Sequence, residues 1–238
     1  WLNVTPSDRL SEEMLFNDRE GFVKALNGVY IELNTNELYG RNLTAGALDV
    51  MGQYYSVASS SHAFYNYGGL VYTGNDEKAL FDNMWQKCYA VIACCNTIIE
   101  KCDENKAGLS PVWRGSIKGE ALALRAMLHF DMLRLFGPLT SELDKESIPY
   151  QTNSDQTVTP LLSGSEVVGL ILDDLKNAVG LLKDTDPYFV EEEFSDTDLN
   201  YRRFRMNYFA AKGLMARVQL WGGDKEKAAA TAKEVIAE

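Results

Sequence analysis

Residues 53–74 read QYYSVASSSHAFYNYGGLVYTG, with six aromatic side chains set among Ser, Asn and Gly and no formal charge. Tyr54, Tyr55, Phe64, Tyr65, Tyr67 and Tyr72 offer flat apolar faces. Gln53, His62, Asn66 and Asn75 offer amide and imidazole groups beside them. This mixture suits a ring-shaped polyol, whose C–H faces stack on aromatic planes while its hydroxyls bond to polar rims. Tyrosine serves both needs and has few rotamers to freeze. The stretch has no sustained helical period, and its serine run and Gly68-Gly69 favour a long loop. Long loops inside compact domains are usually functional or disordered, and the aromatic content argues against disorder. The competing use of the same rings is packing, with the aromatics pinning the loop to the body.

Other chemistries find less support. The two histidines, His62 and His129, have no neighbour at metal-ligand spacing, and His129 falls inside an apolar helix where it reads as a packed residue. Glu191, Glu192 and Glu193 with Asp196 and Asp198 lack the order of ligands and glycine of a calcium loop, so a solvated loop is expected. No GxSxG, HExxH, GxGxxG or phosphate-binding loop occurs, and no acidic pair sits in the aromatic stretch. Catalysis, a resident metal and a cofactor are therefore not expected.

The charge balance is 23 basic against 34 acidic residues, a net of −11 without a basic patch, which excludes a nucleic-acid partner. No run of 18 apolar residues exists to span a bilayer. Cys88, Cys95 and Cys102 recur every seven residues, roughly 10 Å apart along one helical stripe, too far to bridge one another. With Cys94 they read as small buried hydrophobes. The chain opens on Trp1 and stops at Glu238 inside a helical pattern. Both ends are read as trimmed, with an export signal removed upstream.

The elements that must position the aromatic stretch are helices. Residues 1–17 read as an extended lead-in, and Asp18 caps a helix to about residue 33. A weaker helix is expected over about 37–51, and a long one from Asp76 to about 102. Ser110-Pro111 starts a central helix that Gly137 closes and Pro138 bars from continuing. At 100° per residue Ile117, Ala121, Leu124, Leu128, Met132 and Leu135 share one face of it. Leu122, Ala126, Phe130 and Leu133 share another, so this helix is packed from both sides. Its neighbours are expected to be the helix holding Trp85 to Ile99 and one of the two later helices, 165–182 or 205–221. Glu120 and Asp131 are expected to pair with Arg217 or Arg134 in a buried structural network. Residues 139–164 read as a polar loop, Ser165 caps a helix to about 182, and 183–201 read as irregular. Residues 205–238 form two helices joined at Gly222-Gly223-Asp224, and their 34 residues match the tetratricopeptide period. Ala210, Ala211, Gly213 and Ala216 in the first helix and Ala228, Ala229, Ala230 and Ala232 in the second are the small residues expected to let this pair approach closely. The expected fold is all-α, with tetratricopeptide-like helical pairs, a helical body over 18–238 and long irregular loops.

Several stretches together resemble the SusD/RagB family of outer-membrane glycan-binding lipoproteins. The signature helix is similar through Gly119, Glu120, Arg125, Ala126, His129, Phe130, Asp131, Arg134, Leu135, Phe136 and Gly137. Trp85, Tyr89, Ile92 and Asn96 resemble an earlier family helix, and Asp174, Leu175 and Ala178 a later one. Residues 207–236 resemble the helical pair of the family, and WLNVTPSD resembles the segment after its lipidated cysteine. The resemblance covers nearly the whole chain, in the family's order. The lipid-acceptor cysteine and the variable region that follows the helical pair in the family have no counterpart here.

The resemblance implies a non-catalytic surface lipoprotein that captures oligosaccharides or polysaccharides and passes them to a SusC-type TonB-dependent outer-membrane transporter. It implies contact with the membrane only through an N-terminal lipid anchor. It also implies that loops around residues 53–74 contribute to the glycan site, so the candidates are Gln53, Tyr54, Tyr55, His62, Phe64, Tyr65, Asn66, Tyr67 and Tyr72. The alternative from a different class is a helical-repeat scaffold binding a peptide or protein partner.

Overall fold

The computed structural model of the chain describes residues 12–155 and 157–237. Among these the secondary structure is helical apart from one two-stranded ribbon, as an all-α fold requires. The lead-in expected over 1–17 lies mostly outside the described residues, and its described part, Glu12–Leu15 (α1), is one helical turn. Two compact units divide the chain, residues 27–91 forming one and the segments on either side the other.

In the larger unit α6 (Pro111–Phe136) is the central element. The Ser110 hydroxyl accepts the Trp113 amide at 3.3 Å, and Pro111 occupies a first-turn position whose N–H has no helical partner. Between Trp113 and Leu133 nearly every side chain is buried, beyond the two faces that periodicity marks out. Against it lies α7 (Gly164–Thr185), whose inward stripe is Val167, Ile171, Asp174, Leu175, Ala178 and Leu182. Glycines set the distance between them. A Cβ on Gly119 would lie 2.8 Å from Leu182 Cγ, and one on Gly115 2.6 Å from Thr185 Cγ2. The 92–104 part of α5 (Asn75–Glu104) also joins α6, through Asn96 to Arg125 and Asp103 to Lys118. Asn105 at φ 45° turns the chain between α5 and α6 and holds Leu109 N–H at 2.8 Å with its own amide oxygen.

Several boundaries differ from expectation. Part of the polar loop 139–164 is an antiparallel ribbon, β1 (Glu146–Pro149) with β2 (Leu161–Ser163). Its short strands sit beside Pro149 and Pro160 and leave almost no period to read, but Ile148 is fully buried in it. The ribbon makes Ser163, not Ser165, the cap of α7, in a capping box with Glu166. The segment 183–201 is less irregular than expected. It contains the end of α7 and starts α8 (Asp196–Arg202), which Ser195 and Asp198 cap reciprocally.

The helical pair is α9 (Tyr208–Trp221) and α10 (Lys225–Ala237), turned at Gly223, whose φ is 92°. Lys212 pairs with Glu234 at 2.8 Å and Thr231 donates to Gln219 Oε1 at 2.8 Å. Of the small residues expected between the two helices, Ala211 and Ala228 are buried. Ala210, Ala229 and Ala230 are exposed, Ala216 and Ala232 are half-buried, and a Cβ on Gly213 would meet nothing within 4 Å.

In the unit 27–91 the helix expected over 37–51 is reduced to α3 (Ala47–Met51). Residues 34–46 are consecutive turns, with Leu43 N–H bonded to Leu38 O at 2.9 Å and Asn42 N–H to Asn36 O at 3.1 Å. Leu38 and Leu43 are both buried, five residues apart, a spacing no helix keeps on one face. The other core residues of this unit include Val29 and Leu33 from α2 (Arg19–Leu33) and Met84 and Cys88 from α5. Asp18 caps α2 as expected, accepting the Gly21 amide at 2.8 Å.

Candidate functional site

The aromatic stretch is a loop with one helical turn, α4 (Tyr65–Gly68), at its centre. Its two limbs are tied by a side chain from the stretch itself. Gln53 lies in the left-handed region at φ 61°, and its amide donates to Gly68 O at 3.0 Å and to Val50 O at 3.3 Å. This bond brings the Gln53–Tyr55 limb to the turn that begins at Tyr65. The far limb turns at Leu70, φ 55°, where Val71 N–H reaches back to Asn66 O at 2.9 Å.

The nine candidate residues separate by burial. Tyr54, Tyr55 and Tyr65 present 79%, 56% and 42% of their surface to solvent. Gln53, His62 and Asn66 are exposed with them, and Phe64 and Tyr72 are half-buried. Tyr67 is the exception, at 2% exposure. Its ring meets Phe64 at 5.8 Å and Phe81 at 6.0 Å, both edge-on, and Tyr72 at 6.4 Å. Its hydroxyl donates to Asp76 O at 3.5 Å, and burial, then the charges of Glu77 and Asp76, push its pKa up to about 12. Such a side chain has no face left for a ligand. Tyr67 is the peg that fastens the loop, and the packing use of the aromatics applies to it, with Phe64 and Tyr72 as its walls.

The polar candidates are partly engaged. Asn66 Nδ2 donates to Glu77 Oε1 at 2.8 Å, and His62 Nδ1 accepts the Phe64 amide at 3.1 Å. The Tyr54 ring lies back on Gly52, where an added Cβ would approach it to 3.1 Å. Leu70 and Val71, exposed in the same stretch, were not among the sequence candidates because they carry neither ring nor polar group. What remains accessible is a set of phenolic faces and hydroxyls on a cross-braced loop, able to stack and to hydrogen-bond, without a carboxylate pair or nucleophile among the nine candidates.

The polar residues of the signature helix serve the fold. Arg125 takes Asp174 in a fork, Nε to Oδ2 at 2.7 Å and Nη2 to Oδ1 at 2.6 Å, and donates to Asn96 Oδ1 at 2.8 Å. Asn96 Nδ2 donates to Asn153 O at 2.8 Å, and the Tyr150 hydroxyl donates to Asp174 Oδ2 at 2.6 Å. His129 stacks on Tyr150 at 3.9 Å. Its Nε2 accepts the Gln151 amide at 3.0 Å, which leaves the proton on Nδ1 to be donated to Arg125 O at 3.0 Å. The imidazole is thus neutral and fully packed, as its place in the helix suggested. Glu120 does not meet Arg217; it takes Arg202 and Arg205, the latter at 2.8 Å. Asp131 takes Arg134, whereas the Arg217 guanidinium lies 6.0 Å from the Phe130 ring centre. Cys88, Cys95 and Cys102 are buried as expected, but Cys94, one position off their stripe, is exposed.

A family described as SusD-like, starch-binding associating with outer membrane, matches residues 1–220 of this chain. The SusD-like protein P2 of Formosa agariphila is 25% identical across 99% of this chain and 42% of its own length. A SusD-like protein of Bacteroides ovatus is 30% identical over 60% of this chain and 23% of its own length. A SusD-like carbohydrate binding protein from Bacteroides vulgatus superposes with a TM-score of 0.73 at 24% identity, over 93% of this chain and 45% of that one. A laminarin binding SusD-like protein superposes with a TM-score of 0.66 at 17% identity, over 92% of this chain and 43% of that one. The chain thus spans less than half the length of these relatives. The fold, the ordered motifs and the match over residues 1–220 agree: this chain belongs to the SusD-like family.

Proposed function

We propose that this chain is the N-terminal helical part of a surface glycan-binding lipoprotein of the outer membrane, one that captures oligosaccharides and hands them to a SusC-type TonB-dependent transporter. The observation that supports it most is the exposure of Tyr54, Tyr55 and Tyr65 on a loop braced by Gln53. Three exposed phenols on one braced loop lower the ordering cost of stacking against sugar rings. Gln53, His62, Phe64, Asn66 and Tyr72 supply the rim of the site, and Tyr67 holds it from beneath. Capture is binding without bond cleavage, and α9 and α10 are the scaffold and the surface that meets the transporter. No described helix is long and apolar enough to cross a membrane; an N-terminal lipid is the attachment this reading proposes.

Affinity electrophoresis of the whole gene product against a panel of neutral polysaccharides tests the reading. Retention is expected on at least one, and Tyr54→Ala/Tyr55→Ala/Tyr65→Ala together should abolish it. Unchanged retention in that variant removes the loop from the site. Release of reducing sugar would contradict a non-catalytic role. Failure to co-purify a TonB-dependent transporter from detergent extracts would contradict the hand-over.

A further inference from the structure

The stretch 199–204 combines two exposed aromatic rings with a guanidinium that the fold does not use. Arg202, at the end of α8, is buried, with Nε and Nη2 on Asp186 at 2.9 and 2.6 Å and Nη1 on Glu120. Asp186 also accepts the Tyr208 amide at 2.8 Å, and Glu120 also holds Arg205. Two carboxylates therefore neutralise Arg202 and Arg205 and lock this turn onto α6 and α7. The neighbours of Arg202 face the other way. Tyr201 is 62% exposed and Phe204 70%, and Phe204 N–H bonds to Tyr201 O at 3.0 Å, closing a turn that sets both rings along one open depression. Between them Arg203 makes no ion pair among the described residues, and its guanidinium lies 4.7 Å from the Phe204 ring centre. With Leu199 and Asn200 these three line an open depression of about 710 Å³, within the size range of small-ligand sites.

Each part has a chemical counterpart in one kind of ligand. The rings take the C–H face of a sugar, the Asn200 amide takes a hydroxyl, and the guanidinium fork takes a carboxylate in a charge-assisted, two-point contact. We propose that Asn200, Tyr201, Arg203 and Phe204 form a binding site for a uronic acid unit carried on an otherwise neutral oligosaccharide. A polyanion fits less well. The chain's net charge of −11 repels a continuous run of carboxylates, whereas a single carboxylate in contact with Arg203 feels the nearby cation most strongly, distant charges being screened beyond roughly 8 Å. The site does not depend on the tyrosine loop, because none of its residues belongs to the unit 27–91.

Calorimetric titration of the whole gene product with xylotriose and with the same trisaccharide bearing one glucuronic acid branch, and likewise with cellotriose and a glucuronyl-cellobiose, is the test. The acidic member of a pair should bind at least about tenfold more tightly, in line with one charge-assisted contact. Arg203→Gln should remove that preference, and Tyr201→Ala/Phe204→Ala should weaken the acidic ligand while leaving thermal stability unchanged. Equal binding of acidic and neutral members, no binding of any of them, or a preference untouched by Arg203→Gln overturns the proposal. The Tyr54→Ala/Tyr55→Ala/Tyr65→Ala variant separates it from the loop. Loss of neutral-glycan retention with the acid preference intact supports both sites. Intact retention with the preference present refutes only the loop, and a missing preference with loop-dependent retention refutes only the uronate site.

Discussion

Arg125 of α6 and Asp174 of α7 meet as a two-point fork, with both contacts at 2.7 Å or less and both residues buried. The pair is the hinge pin of a network that also holds Asn96, Tyr150 and, through the Arg125 carbonyl, His129. Removing one partner leaves a buried charge without compensation. Asp174→Ala should destabilise the fold by about 3–5 kcal/mol in urea titrations, and adding Arg125→Met should restore part of that loss. A double variant less stable than Asp174→Ala alone would show that Arg125 is held by groups other than this carboxylate.

Gly119 lets α6 and α7 approach, with Leu182 Cγ only 2.8 Å from where a Cβ would stand. Alanine is the better helix former by about 1 kcal/mol, yet here it must push Leu182 or the α7 backbone aside. Gly119→Ala should lower stability by about 1–3 kcal/mol. Gly213→Ala should raise it slightly, because that position is open. Thermal melts of the two variants should move in opposite directions.

His129 gives the fold a defined pH dependence. Burial, opposed by the bond to the Arg125 carbonyl, pulls its pKa from 6.5 down to about 3. The unfolded imidazole binds a proton near pH 6.5 and the folded one only near 3. Between those values the unfolded state carries more protons, so stability falls as pH drops. The contribution is complete above pH 6.5 and declines below it at about 1.4 kcal/mol per pH unit. Urea midpoints at pH 7.5, 6 and 5 should show this slope in the wild type and a flatter one in His129→Gln, a window in which most carboxylates remain ionised.

Thiol accessibility should separate the four cysteines. Cys94 is exposed, whereas Cys88, Cys95 and Cys102 are buried, and burial pushes the Cys102 thiol up to about 12. In the native protein an aromatic disulfide reagent should modify Cys94 alone, and Cys94→Ser should abolish the fast reaction. The remaining thiols should react only after denaturation.

Within the aromatic loop, two tyrosines close in sequence should behave oppositely. Tyr67→Ala empties the middle of the cluster with Phe64, Tyr72 and Phe81, at a cost of about 3 kcal/mol or more. Tyr65→Ala should leave stability within about 0.5 kcal/mol of the wild type and act only on glycan retention. Gly52→Ala, which crowds the Tyr54 ring, should reduce retention without unfolding the protein.

What the sequence determined by itself was whatever is written in local chemistry. Ser110-Pro111 and Asp18 mark helix starts because a cap needs only its own next turn, and α9 and α10 are legible through a 3.6-residue period broken at Gly222-Gly223. The family was legible for a related reason: Arg125, His129 and Asp174 form one packed network, and their types and spacing survive in the chain as a motif. The tertiary structure decided what depends on residues far apart. It chose Arg202 over Arg217 for Glu120, 82 residues distant, since both arginines suit a carboxylate and only packing brings one of them to it. It paired β1 with β2 across a stretch too short and proline-bounded to show a period. It also sorted the aromatic loop. Tyr54, Tyr55, Tyr65 and Tyr67 are one residue type in one polar setting, and nothing in their order says which ring turns inward. Phe81, supplied by α5, and the brace from Gln53 to Gly68 make Tyr67 the anchor and leave the other three to face solvent.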